Sequence, residues 1–492
     1  MRKIMKNKKF EILFLLLIII LAAFLRFYQI NRFHFFNYDQ ARDALFIKRI
    51  IVDHQFRLIG TQTSIPGFYT GPAYYYLMAP FLWLFRLNPV GIDVGIAIIG
   101  FLTVIIFYWL LLRFTQDKVV SLAFTALYAT QPQIVQQSRY AWNPNPTPFF
   151  FLLYLWGLFK IANKKRFGWL LTFISLAFLL QLHYSAVSLL LVLILFVIFF
   201  RKQIKFGRPF YLSFLSFLIL MSPLLLFDFR HNFINLKALF GYFKNGAPGE
   251  ISLPSFFSGS IMKLKLLLIE LPLGIKSSII AFLILAVLFL LFFFKNYFRK
   301  NLNFILVSLS LFVGILVAAL YRGPFYNFYL TFLYPVGFLW WGILISKLKF
   351  KRWPKNLVLI LLVLIIIFFN LKNTTIFSPP KRTMADIRKV ADVISQDVNS
   401  TKPFNLVGIQ GGDRFDYNAV DYRYFLETFY HQRALDWDIA SYQKAENLYL
   451  ISTVGKIEPL TINVWELNLF GPRKVLETWE LENNVLIYKL GK

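Results

Sequence analysis

Val94-Gly95-Ile96-Ala97-Ile98-Ile99-Gly100-Phe101-Leu102-Thr103-Val104-Ile105-Ile106-Phe107-Tyr108-Trp109-Leu110-Leu111-Leu112 runs without a single charge. As a helix rising 1.5 Å per residue it would be about 30 Å long, the thickness of a bilayer's hydrocarbon core. Runs of this kind recur along the first 371 residues. We read eleven spans, at about 10–29, 92–114, 119–139, 147–162, 167–184, 186–200, 210–228, 277–294, 303–321, 328–346 and 356–371. The 492 residues are 58% apolar and 19% aromatic with a mean hydropathy of +0.59, more apolar side chain than one soluble core takes. The predicted fold is an α-helical polytopic membrane protein.

A net charge of +29 would suit a nucleic-acid binder, but its distribution does not. From residue 372 onward there are 15 Lys/Arg and 15 Asp/Glu, which leaves 38 basic and 9 acidic residues in the membrane part. Of those 38, 23 fall in every second connection: the N-terminus through Lys9, Arg113 to Lys118, Lys160 to Arg166, Arg201 to Arg208, Lys295 to Lys300 and Lys347 to Lys355. By the positive-inside rule these lie in the cytoplasm, so the N-terminus is expected inside and the C-terminal tail outside. Asp39, Asp43, Asp53, Asp93, Asp228, Glu250 and Glu270 then gather on the outer side. The expected location is a prokaryotic cytoplasmic membrane, with membrane lipids as neighbours and no nucleic acid. Arg2 to Lys9 precede the first apolar run, but Arg26-Phe27-Tyr28 follows without a small-residue cleavage site, so that run reads as an uncleaved anchor. With no cysteine, thiolate metal sites and cysteine nucleophiles are excluded.

Two domains are expected: a transmembrane domain, 1–374, and an extracytoplasmic α/β domain, 375–492. The first outer loop, 31–91, holds two aromatic amphipathic segments, 39–52 and 72–86, read as helices lying along the interface. Gly60 to Gly67 between them is a turn-rich link, and Gly71-Pro72 a helix start. A second outer loop covers about 229–276. The tail shows a helical pattern at Arg382 to Val398 and strand-like stretches at Asn405 to Ile409, Asn447 to Ser452 and Val485 to Leu490. Gly408 to Asp413 follows a strand, but its glycine spacing fits neither nucleotide fingerprint and reads as an ordinary turn.

Just past span one lies Asn37-Tyr38-Asp39-Gln40-Ala41-Arg42-Asp43. In a helix Asp39 and Asp43 share a face, with Arg42 at i+3 from Asp39. Two acids in a first turn also suit a solvated helix start. Other polar groups follow at the outer ends of spans: Arg139-Tyr140 before Trp142-Asn143-Pro144-Asn145-Pro146, His183-Tyr184, Asp228, Glu270, and Arg322 before Tyr326. Singly, the arginines can snorkel to headgroups, His183 can cap a helix and the aromatics can sit in the interfacial belt. As a set around one outer cavity they suit a reaction on an anionic lipid head group. Arginines grip phosphate bidentately, and a carboxylate can take a proton from a hydroxyl.

These features together resemble membrane glycosyltransferases of the GT-C class, and most of all the family that includes protein O-mannosyltransferases and the lipid A aminoarabinose transferase. The similarity covers roughly the first 330 residues by architecture and about 26–115 by motif. Asp39 and Arg42 match the family's loop aspartate and arginine, while Gln40 stands where the family has Glu. In place of the family's Lys-Pro-Pro or Glu-Lys-Pro element the chain has Tyr69-Thr70-Gly71-Pro72-Ala73-Tyr74-Tyr75-Tyr76, without the acid and lysine. Asp43 would supply the carboxylate absent at Gln40. The resemblance implies inverting transfer of a sugar from a polyprenyl phosphate donor to a lipid, glycan or protein acceptor on the outer face. Asp39 is the expected base or the carboxylate orienting the acceptor hydroxyl, with Asp43 as the second catalytic carboxylate lining the site; Arg42, Arg139 and Arg322 are the expected phosphate contacts, and Tyr140, His183 and Tyr75 the rest of the expected lining. No cofactor is expected; a divalent metal stays open. The alternatives are a transporter or flippase of a lipid-linked saccharide, for which neither repeated halves nor a midplane site is detected, and a non-catalytic envelope scaffold.

Overall fold

The computed structural model describes residues 8–33, 36–245, 253–281, 283–284, 301–321, 323–347, 352–378, 380, 382–398, 402–411 and 417–492. The chain divides into two compact units. Unit 1 comprises Met1–Tyr28, Arg57–Leu77 and Asp93–Phe377; unit 2 comprises Gln29–Phe56, Met78–Ile92 and Ser378–Lys492.

In chain order the helices through the membrane-type part are α1 (Lys8–Phe27), α2 (Tyr38–Ile51), α3 (Ala73–Leu84), α4 (Val90–Thr115), α5 (Lys118–Thr130), α6 (Pro132–Gln137), α7 (Thr147–Ala162), α8 (Phe167–Leu182), α9 (Ser188–Phe200) and α10 (Arg208–Arg230). After them come α11 (Ile234–Asn245), α12 (Leu253–Lys265), α13 (Leu271–Leu273), α14 (Leu302–Ala319), α15 (Tyr334–Ser346) and α16 (Arg352–Lys372). Among the described residues, five helical stretches are long and apolar enough to cross a membrane: Val90–Thr115, Arg208–Arg230, Leu302–Ala319, Asn327–Ser346 and Pro354–Lys372. Helices also fill the expected spans at 10–29, 147–162, 167–184 and 186–200. The span read at 119–139 is broken in two, because Pro132 lacks the amide that α5 would need to continue and instead starts α6. Most of 277–294 lies outside the described residues.

Helices of unit 1 pack through aromatics and small residues. Phe107 stacks on Tyr128 at 4.7 Å between α4 and α5, and Phe150 on Phe178 at 4.4 Å between α7 and α8. Where α7 crosses α8, a Cβ on Gly168 would sit 2.7 Å from the Gly157 carbonyl oxygen, so only glycine permits the approach. In contrast α10 turns Leu212, Leu215 and Ile219 outward, as a lipid-facing helix does.

Unit 2 builds its core on a sheet of four strands, β1 (Phe404–Ile409), β2 (Asn447–Ser452), β3 (Lys474–Leu481) and β4 (Val485–Gly491), in the order β1-β2-β4-β3. The first pair is parallel and the other two are antiparallel. Alongside run α17 (Met384–Asp397), α18 (Val420–Phe429), α19 (Ile439–Lys444) and α20 (Trp465–Phe470). Thr383 caps α17 by accepting from the Asp386 amide, while Asp386 accepts from the Thr383 amide. Val407, Leu448, Leu450, Leu467 and Leu490 form the core. Helix α2 belongs to this unit and docks on α18: Phe36, just before α2, packs its ring on Tyr424 and Phe425, and Arg49 bonds Glu427 through two nitrogens at 3.0 and 2.7 Å.

Candidate functional site

In unit 2 the first turn of α2 brings Asp39, Arg42 and Asp43 together. Arg42 Nη1 lies 2.8 Å from Asp39 Oδ1 and Nη2 lies 2.9 Å from Asp43 Oδ1, with Nε donating to the same Asp43 oxygen at 3.0 Å. Asp39 keeps 38% of its side chain exposed, Asp43 only 2%. Arg42 also lies over the Tyr38 ring, 5.4 Å from its centroid. Burial pushes the Tyr38 phenol up, with Arg42 opposing. Gln40, which stands where the resembled family has an acid, has a local duty: its Oε1 accepts from the Asn37 amide at 3.2 Å and closes the start of the helix. One exposed carboxylate and one buried one thus share a single guanidinium.

Unit 1 holds the other sequence-predicted residues. Arg139 reaches the end of α1, where Nη1 donates to the Leu25 and Arg26 carbonyls at 3.1 Å each and Nη2 to the Tyr28 carbonyl at 2.8 Å. Those are among the carbonyls that a helix end leaves without an internal partner. The connection that carries Arg139 is fixed at two further points. Asp93 Oδ1 accepts from the Ala141 amide at 2.7 Å, and Asn143 Nδ2 donates to the Leu182 carbonyl at 2.6 Å. Tyr140 presents its ring edge-on to Trp142. His183 is buried at the end of α8, and its Nδ1 accepts from the Ser185 amide at 3.3 Å, which leaves the ring proton on Nε2. Tyr75 is buried, in edge contact with Tyr74. Gly71, just before α3, lies so close to Gln181 of α8 that an added Cβ would meet its Cγ at 2.3 Å. Arg322 lies outside the described residues.

Three further groups were not singled out from sequence. Ser64 Oγ hydrogen-bonds the hydroxyls of Tyr184, Tyr321 and Tyr329 at 3.3, 3.0 and 3.3 Å, beside His183, whose ring is 5.6 Å from that of Tyr329. Lys263 is buried, bonds the Gly259 carbonyl and stands 4.1 Å from the Phe325 ring centroid; burial pushes its ammonium down. Arg26 is fully buried and donates to the Ala22 and Ala129 carbonyls. Serine, tyrosine and lysine from separate segments give no spacing signal, and Arg26 entered the sequence reading only as the residue that follows the first apolar run without a cleavage site. Among the described residues no three His, Asp or Glu side chains converge as a metal site.

A family model described as dolichyl-phosphate-mannose-protein mannosyltransferase matches residues 69–227. No curated protein matches the chain. Among solved structures, ArnT from Cupriavidus metallidurans bound to undecaprenyl phosphate aligns with a TM-score of 0.61 at 11% identity over 97% of each chain. The same protein in the apo state gives 0.60 at 12%, again over 97% of each. The archaeal oligosaccharyltransferase AglB from Archaeoglobus fulgidus, in complex with an inhibitory peptide and a dolichol-phosphate, aligns at 0.50 and 12% identity over 90% of this chain and 69% of that one. At such identities the likeness is one of fold. Residues 69–227 thus match the mannosyltransferase family model, and the chain has the GT-C fold of the membrane glycosyltransferases that its first outer loop resembles.

Proposed function

We propose that this chain is a membrane glycosyltransferase that moves a sugar from a polyprenyl phosphate donor to a hydroxyl of a lipid, glycan or protein acceptor, with inversion at the anomeric carbon. The reaction is placed on the outer face of a prokaryotic cytoplasmic membrane, with eleven spans, the N-terminus inside and the 375–492 domain outside. The carrying observation is the first turn of α2, where Arg42 holds Asp39 exposed and Asp43 buried.

In the proposed step Asp39 takes the proton of the acceptor hydroxyl. The acceptor oxygen bonds to the anomeric carbon, the bond from that carbon to the phosphate oxygen breaks, and polyprenyl phosphate leaves with the electron pair. Asp43, buried behind Arg42, fixes the guanidinium that orients Asp39. Arg42, Arg139 and Arg322 are the proposed cations for the donor phosphate, with Tyr140, His183 and Tyr75 around the site; the reading calls for no resident cofactor. Arg139 bonds backbone carbonyls rather than a carboxylate, with Asp93 as a counter-charge through space, and is a proposed cation to draw an anion. The reading is supported by the match to a mannosyltransferase family model and by fold relatives described with undecaprenyl phosphate or dolichol-phosphate bound.

Membranes containing the chain, given a polyprenyl phosphate hexose labelled in the sugar, should pass the label to a product that no longer extracts with the donor lipid. Label that stays on the donor, or that crosses the membrane still attached to it, would contradict the proposal. Protease added to intact spheroplasts should remove the tail; cleavage only after permeabilisation would reverse the topology.

A further inference from the structure

A cavity of about 440 Å³ opens in unit 1 between α6, Trp142 and the 3-10 stretch Asn327–Leu333, within the size range of roughly 300–1,000 Å³ seen for small-molecule sites. Its polar lining is made of amides, from Gln133, Gln136, Gln137 and Asn327, and its apolar lining of aromatics, among them Trp142 and Tyr326. Neither the α2 acids nor the arginines proposed for the donor phosphate are among these side chains, and none of the lining groups is ionised at neutral pH.

Two of the amides are oriented in advance. Gln133 Nε2 donates to the Tyr334 hydroxyl at 2.7 Å and Gln137 Nε2 at 3.5 Å, while that hydroxyl donates its one proton to the Asn327 carbonyl at 3.1 Å. With the phenol proton committed, both glutamines must present their NH₂ groups to it. Their Oε1 atoms make no hydrogen bond among the described residues and serve as fixed acceptors. Gln136, exposed on the same helix, offers a whole amide. The aromatic wall is continuous: Trp142 and Phe328 have centroids 4.4 Å apart, and Tyr326 stacks on Phe328 at 5.5 Å. Rings that present flat apolar faces beside groups that both donate and accept complement a pyranose, which has C–H faces and a rim of hydroxyls.

The surroundings add a sign. Behind Gln137 and Tyr334 a small space of about 20 Å³ is lined by Arg26. That guanidinium is fully buried, and its Nε and Nη2 have no hydrogen-bond partner among the described residues. A buried cation thus lines the space behind the cavity, and no carboxylate stands on the cavity's own lining to meet the ammonium of an amino sugar.

We propose that this cavity binds the transferred sugar, and that it selects a neutral hexose over a cationic amino sugar. The proposal rests on the glycosyltransferase reading. The test uses the full chain in lipid nanodiscs with three probes: polyprenyl phosphate mannose, the corresponding polyprenyl phosphate amino sugar, and polyprenyl phosphate without sugar. The hexose donor should bind at least tenfold more tightly than the amino-sugar donor. Gln136→Ala should weaken the hexose donor roughly fivefold, the size of one neutral hydrogen bond, and Trp142→Ala roughly tenfold, the upper end for one aromatic stack. Binding of the bare lipid should stay unchanged in both, which also reports that the variants are folded. Equal weakening for bare and sugared lipid would overturn the assignment, as would unchanged hexose affinity in the exposed Gln136→Ala variant, or tighter binding of the amino-sugar donor. A wild-type chain that transfers hexose while both variants behave normally overturns this assignment alone; a wild-type chain that binds no sugared donor better than bare lipid, and transfers nothing, overturns the reading beneath it.

Discussion

In unit 2 most of the buried cations meet carboxylates, the exception being Arg423 with its backbone carbonyls and Asn405, whereas in unit 1 Arg26, Arg139 and Lys263 meet backbone carbonyls. Arg49 and Lys48 both bond Glu427, Arg382 pairs with Asp421, and Arg42 spans Asp39 and Asp43. Arg26, Arg139 and Lys263 bond carbonyls instead. Unit 1 also has ion pairs: Lys118 with Glu11 and Lys265 with Glu270 are partly exposed, while Lys355 with Asp117 is more enclosed. Composition explains the contrast, since the chain before residue 372 carries 38 basic residues and 9 acidic ones. The two solutions differ in consequence. A carboxylate cancels the charge it meets and fixes a shape, while a carbonyl satisfies the donors and leaves the charge to act. Unit 1 is therefore suited to attract an anion, and unit 2 to hold its acids in place.

The contrast breaks first at Glu427. Glu427→Gln leaves Arg49 buried without its bonded carboxylate and Lys48 with Asp53 alone, a loss of about 3–5 kcal/mol when a buried pair is severed. Denaturant unfolding of the full chain followed through the tail should show it. Burial works against the Glu427 charge, but Arg49 outweighs it and holds the carboxyl below its usual range. Its contribution is therefore complete above the unfolded carboxylate value of about 4.3 and disappears as pH falls through the lower folded value. Wild type should lose this stability on acidification below about pH 4, and Glu427→Gln should not.

A smaller effect is expected at Arg139. Removing its donors from the end of α1 should cost about 1.5–3 kcal/mol, the range for hydrogen bonds to charged groups. Arg139→Lys should restore only part, because an ammonium cannot reproduce the planar fork. If Arg139→Ala unfolds normally but binds donor poorly, the residue serves the phosphate rather than the helix, and the contrast sharpens in favour of substrate. The smallest effect is expected at Lys389, whose pair with Glu482 is open to solvent. Lys389→Ala should leave the melting temperature unchanged; a clear drop would show that exposed pairs also hold unit 2 together.

Much of the fold was legible. Apolar runs mark helices regardless of what surrounds them, and α17, β1, β2 and β4 lie where the periodicity placed them. Strand β3 was missed because it is an exposed edge strand whose Lys474, Glu477 and Glu480 give it no apolar signature. Helix α18 was missed because Asp421, Arg423 and Glu427 interrupt its apolar face; each is buried and finds its partner only in the folded unit. At the candidate site the spacing of Asp39, Arg42 and Asp43 was enough to foresee their grouping. The capping duty of Gln40 was hidden by the family comparison, and Arg139's carbonyl partners lie more than 100 residues away, where no local pattern reaches. The tyrosine cluster at Ser64 draws on four separate segments, each ordinary alone.

The most direct test is turnover of Asp39→Asn with a labelled polyprenyl phosphate hexose, measured beside Asp43→Asn and donor binding. Asparagine keeps size and polarity but cannot take the proton, so transfer should fall by roughly 10²–10⁴-fold, the usual share of general-base catalysis, with donor binding and folding preserved. Asp43→Asn should cost less, since its buried carboxylate holds Arg42 rather than the acceptor. Near-normal transfer by Asp39→Asn would contradict the account: with Asp43→Asn inactive the base lies one helical turn further along α2, and with both active the first turn of α2 is not where the chemistry occurs.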